Sequence, residues 1–143
     1  MRRSACAGAL IAGLAFGAVG CGGGGGDSDN IKESIKAFFA GLGERDGKKV
    51  CSLLSNALVQ AAQVSGSDCA KSLKVVAAQA VPENKRNEVR NVQVSDVKVT
   101  GTTATALVKG TRGSKKMSLV KENGKWKLGS ITGVLPERQR VLV

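Results

Sequence analysis

Apolar positions along this chain change their spacing twice. From Ala5 to Val19 they are nearly continuous and uncharged (ACAGALIAGLAFGAV), from Ile31 to Val76 they recur at helical intervals, and from Val92 they alternate. The helical part starts at Asn30, a good N-cap with Glu33 three residues on, followed by the stripe Ile31, Ile35, Phe38, Phe39 and Leu42. Gly41 and Gly43 are expected to end that helix. Asp46 can cap a second helix carrying Val50, Leu53, Leu54, Ala57, Leu58 and Ala61 on one face. Ser65-Gly66-Ser67 reads as a turn, and Ser67 or Asp68 caps a third helix with Cys69, Leu73 and Val76 in line.

Beyond Pro82 the polar stretch to Arg90 breaks the helical run, and a period near two takes over. Val92 and Val94 have one parity, Val97 and Val99 the other, with Asp96 between them. Gly101 marks a turn into Thr102 to Lys109, and a further strand runs from Lys115 to Lys121. Asn123-Gly124 is a strong hairpin signal leading into Lys125 to Ile131, where Trp126 and Leu128 share a face. Gly133 and Pro136 close that strand, and the tail PERQRVLV is expected to fray or to add briefly to an edge. Helices first and an antiparallel sheet afterwards predict an α+β domain over residues 30–143, with the N-terminal helices packed on a curved sheet.

The apolar run at the start has a different use. Arg2 and Arg3 precede it, and its fifteen residues cover only about 22 Å as a helix, short of a hydrocarbon core of roughly 30 Å. Residues 1–20 therefore read as a cleaved signal rather than a membrane span. The segment Ala18-Val19-Gly20-Cys21 resembles the bacterial lipobox, in which small residues precede a cysteine that receives diacylglycerol and becomes the acylated first residue. Ala18 departs from the usual Leu, and the small residues at 18 and 20 also suit ordinary signal cleavage, which would release the protein instead. Residues 21–29, with the run Gly22 to Gly26, read as a tether following the lipidated cysteine. The expected location is the extracytoplasmic face of a bacterial cell membrane, held by lipid on Cys21.

Composition narrows the chemistry. The chain contains neither His nor Tyr, which removes imidazole catalysis, imidazole metal ligation and phenolic acids together. The net charge is +11, and it falls by two, to +9, without Arg2 and Arg3. Such a balance favours anionic lipid or a cell-wall polyanion as a partner, and export argues against nucleic acid. Of four cysteines, Cys6 falls in the signal and Cys21 at the lipid site, leaving Cys51 and Cys69. An oxidising compartment would join them, stabilising the fold by ~3 kcal/mol on the chain-entropy model; two buried thiols are the rival reading. A metal pair would lack further ligands.

Three helices followed by strands reading VQVSDVKVTGTTATALVKG and MSLVKENGKWKLGSI look like the nuclear-transport-factor-two-like fold, a cystatin-like cone. The chain is especially similar to small lipoproteins of that superfamily from high-GC Gram-positive bacteria. Their recurrent features match Asp46, Gly47 and Cys51 (DG-x-x-x-C), Val97, Val99, Gly101 and Ala104 (V-x-V-x-G-x-x-A), and Leu119 through Lys127 (L-V-K-E-x-G-x-W-K). The resemblance spans roughly residues 30 to 132 and implies a fold rather than an activity, since this fold carries enzymes, binders and scaffolds alike. Enzymes of the superfamily use an Asp base with Tyr, His or Asp partners, and the Tyr and His are lacking here.

The candidate residues follow. Asp96 could point into the cone, where burial would raise its pKa and suit it to proton transfer, or could stand exposed at a bulge. Trp126 could wall an apolar pocket or simply anchor the core. Asp46 and Asp68 read as caps and Glu44 as a solvent-exposed acid. Lys109, Arg112, Lys115, Lys116, Lys121, Lys125 and Lys127, set against Glu122 alone, could gather into one basic patch. No cofactor is implied. The expectation is a lipid-anchored, non-catalytic binding or interaction module, with a small-ligand carrier or an Asp96-dependent enzyme as alternatives.

Overall fold

The computed structural model describes residues 26–63 and 68–130, so the signal segment, Cys6, Cys21, the Ser65-Gly66-Ser67 turn and the tail lie outside the described residues. Five helices come first: α1 (Asp27–Glu44), α2 (Gly47–Ser52), α3 (Asn56–Gln63), α4 (Cys69–Ala80) and α5 (Arg86–Arg90), with a 3-10 turn at Glu83–Lys85 before α5. Four strands follow: β1 (Gln93–Thr100), β2 (Thr103–Gly110), β3 (Gly113–Glu122) and β4 (Lys125–Ser130). They form one antiparallel sheet in the order β1-β2-β3-β4, so every strand pairs with its neighbour in sequence. The class is α+β, as the order of periodicities predicts.

α1 buries Ile31, Ile35, Phe38 and Leu42, one residue per turn, against the sheet. The sheet answers with Ala104, Ala106 and Val108 from β2, Met117 and Leu119 from β3, and Trp126 and Leu128 from β4. Those are alternate positions on each strand, so one face is packed on the helices, and the other carries Thr105, Leu107, Lys116, Ser118 and Val120. The space beneath the sheet is occupied by the large side chains Phe38, Leu119, Leu128 and Trp126, all at most 3% exposed.

Three boundaries differ from the sequence expectation, each for a tertiary reason. α1 starts at Asp27 rather than after Asn30, so Asp27–Asp29 belong to the fold and not to a tether. Asp27 is held there by Lys121 and Trp126, and the carboxylates of Asp27 and Asp29 favour the positive end of the helix dipole. At its other end α1 runs through Gly41 and Gly43 to Glu44, and Arg45 supplies the left-handed cap (φ 57°). The two glycines serve packing. A Cβ on Gly41 would meet Val50 at 2.9 Å, and one on Gly43 would meet the Arg86 carbonyl and the Arg90 side chain, both at 2.9 Å.

The second predicted helix is two. Its stripe would run unbroken from Val50 to Ala61, but Leu53–Ser55 leave the helix to pair with the outer edge of β4. The Ser55 N–H donates to the Leu128 carbonyl at 2.9 Å, and the Leu128 N–H donates to the Leu53 carbonyl at 2.8 Å. Two hydrogen bonds to an otherwise bare strand edge outweigh continuation of a short helix. Ser55 then caps α3, its hydroxyl accepting from the Leu58 N–H at 3.4 Å. Ala57 and Ala61, expected on the buried stripe, are exposed. In α4 the buried face is Cys69, Leu73 and Ala77, with Val76 only partly covered.

The parity change at Asp96 is a β-bulge. Ser95 faces Leu107 and Lys98 faces Thr105, so Asp96 and Val97 together oppose Ala106. Asp96 adopts φ 47°, a left-handed conformation that Asp tolerates better than most residues. The extra residue returns Val97 and Val99 to the side of the sheet used by Val94.

Candidate functional site

The motif Asp46-Gly47-x-x-x-Cys51 joins α2 to α4. Asp46 accepts from the Lys49 N–H at 3.0 Å and so caps α2. Gly47 lies against α4: a Cβ added there would sit 1.8 Å from the Ala70 carbonyl oxygen. Cys51 is bonded to Cys69, with Cα atoms 6.2 Å apart, within the ordinary range for a disulfide. On the α4 side Asp68 caps the helix through the N–H groups of Ala70 and Lys71. Cap, close approach and covalent bond thus fall between Asp46 and Cys51 on one side and between Asp68 and Ala70 on the other. The bridge pins the beginning of α4 to the end of α2.

Trp126 is the second focus. Its ring is 3% exposed and lies in the core under α1. The indole N–H donates to Asp27 Oδ1 at 3.0 Å, and Lys121 Nζ donates to the same oxygen at 2.8 Å while standing 5.4 Å from the ring centroid. The Lys121 hydrogen bond, followed by that from Trp126, holds the Asp27 carboxyl below its ordinary value, against the opposing effect of desolvation. Ser34 on α1 donates to the Trp126 carbonyl at 3.1 Å. Trp126 therefore fills the core position, and it also borders a surface cleft of about 370 Å³ with Asn30, Glu33, Leu53, Lys125 and Lys127. That volume is within the range of small-ligand sites, but the cleft is at the rim between α1 and β4 and not beneath the sheet.

Asp96 does not join it. It is exposed on the β1 bulge at the far edge of the sheet from Trp126, so the inward-facing arrangement needed for a buried base is not the one adopted. The other acids have structural roles. Glu83 accepts from Arg86 and faces Arg45, and the Arg86 hydrogen bond first, then Arg45 by charge, lowers its pKa despite desolvation. Glu122 accepts from the Asn56 N–H with both oxygens, at 3.2 and 3.1 Å, and so braces the start of α3. Glu44 is exposed and paired with Lys49 at 3.1 Å.

The seven cations proposed as one patch are divided between the two ends of the sheet. Lys109, Arg112, Lys115 and Lys116 surround the β2–β3 turn, where Gly110 pairs with Gly113. Lys121, Lys125 and Lys127 lie at the other end, around the β3–β4 turn of Asn123 (φ 51°) and Gly124 (φ 75°). β3 runs between the two turns, so residues a few positions apart in sequence are a strand length apart in space. At the second end Lys121 is paired with Asp27, and Lys127 donates to the Ser52 carbonyl. At the first end all four side chains are exposed, and among the described residues none is in an ion pair.

Among the described residues no helix is long and apolar enough to cross a membrane, and no three His, Cys, Asp or Glu side chains come together as a metal site would require. No family model and no curated protein matches this chain.

The residues that sequence reasoning missed are Asp27, Gly47 and Glu122. Asp27 follows five glycines and reads as linker, and nothing local announces partners 94 and 99 residues away. Gly47 is visible only as part of a motif. Ser55, by contrast, carries a readable signal: a serine just before Asn56-Ala57-Leu58 has the form of an N-cap.

Proposed function

We propose that this protein is a lipoprotein of the bacterial cell envelope, anchored through acylated Cys21, and that its folded domain is a non-catalytic binding module carried at the extracytoplasmic face of the cell membrane. The observation that carries this reading is the run Ala5 to Val19 leading directly into Ala18-Val19-Gly20-Cys21 and then glycine. Its support in the fold is twofold. The Cys51–Cys69 bond belongs to an oxidising compartment. The helix that follows the glycines is fastened at its first residue, Asp27, which suits a domain suspended from its N-terminus. The order of elements and the DG-x-x-x-C coupling agree with a nuclear-transport-factor-two-like cone of the lipoprotein type.

Mass spectrometry of the full chain extracted from host membranes tests the reading. The expected species begins at Cys21, carries acyl chains, and is two hydrogens lighter than the reduced form. A species that begins at an unmodified Cys21, or that retains residues 1–20, overturns the anchor.

A second reading, a carrier of a small ligand, is favoured by the cleft beside Trp126. A non-covalent mass retained in the same experiment, and lost on Ser34→Trp, which fills the cleft, would support it.

A further inference from the structure

We infer that the β2–β3 hairpin is the contact surface of this domain, and that its partner is an extended phosphate-bearing polyanion lying away from the membrane rather than the bilayer itself. The inference rests on the anchored-domain reading for its orientation, and on the sheet for its chemistry.

Residues 109–116 read KGTRGSKK: four cations and no acid in eight positions. The register sorts them around the hairpin. Lys109 and Lys116 are on the helix-free face of the sheet, where Lys116 opposes Leu107 and Lys109 opposes Ser114. Lys115 opposes the buried Val108 and so leaves from the other face, and Arg112 is in the two-residue turn. Cations therefore project from both faces and from the tip, an arrangement that suits a strand of phosphates passing over an end better than a flat surface. Five other cations of the fold are used differently: Arg45, Lys49, Lys85, Arg86 and Lys121 are each within 3.1 Å of a carboxylate oxygen, and the cations that lack such a pair, such as Lys48 and Lys98, do not form a run of four without an acid. Beside the hairpin, Gln93 faces Lys109 and adds no charge. The nearest acid on the adjoining strand is Asp96, held at the bulge opposite Ala106 and further from the tip.

Position decides between the two kinds of polyanion. α1 begins at Asp27, which is bonded to Lys121 and Trp126, so the chain arrives from the glycines at the β3–β4 end of the sheet. The five residues Gly22 to Gly26 reach at most about 20 Å even fully extended. β3 then carries the chain from Glu122 back to Gly113, roughly 30 Å at the usual rise per residue. The end near the anchor mixes Asp27, Asp29, Glu33, Lys121, Glu122 and Lys125, whereas Lys109, Arg112, Lys115 and Lys116 stand at the opposite end with no acid among them.

The test uses the full chain in neutral detergent, so that it holds whether or not Cys21 is acylated, with fluorescently labelled linear polyphosphate as the probe. Wild type is expected to bind with log K falling against log salt at a slope of roughly −3, about −0.7 for each of four contacts. Lys115→Glu with Lys116→Glu should weaken binding by roughly tenfold or more and flatten the slope by more than one unit. Lys48→Glu with Lys125→Glu makes the same change in net charge away from the hairpin and should alter binding less than threefold. Equal loss from both pairs overturns the inference, because diffuse charge then suffices. Failure to bind polyphosphate, with flotation on phosphatidylglycerol vesicles that the Lys115 and Lys116 reversals abolish, also overturns it in favour of membrane docking. A chain without acyl groups overturns the anchor alone, since the polyphosphate titration does not use it.

Discussion

Trp126 donates its indole N–H to the carboxylate of Asp27 at 3.0 Å, joining the first turn of α1 to the last strand across 99 residues of sequence. Lys121, also 2.8 Å from that oxygen, completes a small knot at the end of the sheet where the glycine run enters. This contact converts what reads as linker into the first residue of the fold.

The knot has a pH dependence whose sign is fixed. Asp27 is held below its ordinary value in the folded chain, so its contribution is fully present above the unfolded-state value of about 3.9 and is lost as pH falls through the lower folded value. Glu83, lowered chiefly by Arg86, acts in the same direction. Acid titration followed by Trp126 emission should show a transition below pH 4 that precedes or accompanies unfolding. Asp27→Asn should remove that local transition while leaving the global acid unfolding in place.

Gly47→Ala should be among the most damaging single substitutions, because its Cβ would need the space of the Ala70 carbonyl, 1.8 Å away. Overpacking of backbone on backbone should cost on the order of 3 kcal/mol in denaturant unfolding. Gly101→Ala provides the contrast. Its Cβ would meet nothing within 4 Å, so only the left-handed conformation (φ 59°) penalises it, by roughly 1 kcal/mol.

Replacing Cys51 and Cys69 together with Ala should lower stability by ~3 kcal/mol, as expected for a closed loop of this length. The folded signature of Trp126 should survive, since the bridge is on the α2–α4 side of the core and Trp126 is held by α1. Comparison of oxidised and reduced wild type in urea should give a difference of similar size.

Glu122→Gln should loosen α3 selectively. It leaves a weaker partner for the Asn56 N–H and removes a charge favourable to the helix start, a loss of up to about 1 kcal/mol. Hydrogen exchange should accelerate in residues 56–63 while β3 and β4 stay protected.

What could be read from the sequence was what depends on neighbours in the chain. The alternation Ala104-Ala106-Val108, the Asn123-Gly124 turn, and the caps at Asp46 and Asp68 are local, and the structure has each of them. The break at Leu53–Ser55 was hidden because Val50 to Ala61 keeps helical spacing, and the strand edge that captures Ser55 is made by Leu128, far along the chain. The candidate sites were less legible for the same reason. Seven cations from Lys109 to Lys127 are close in sequence, but a ten-residue strand carries them to opposite ends. Asp96 shows its parity conflict plainly, and of its two resolutions the structure adopts the exposed bulge.

The sheet has two outer edges, and they meet the problem of unwanted assembly in different ways. Leu53–Ser55 cover β4 by pairing with Leu128, so that side offers little to a second chain. Among the described residues β1 has no strand beyond it, but its midpoint is displaced by the bulge at Asp96, and Lys98 follows two residues on. An incoming strand would find the ladder out of step after two or three residues and a carboxylate and an ammonium where it needed bare backbone. The irregularity that disqualifies Asp96 as a buried base thus acts as insulation, letting copies of the domain crowd together without stitching their sheets into a continuous one.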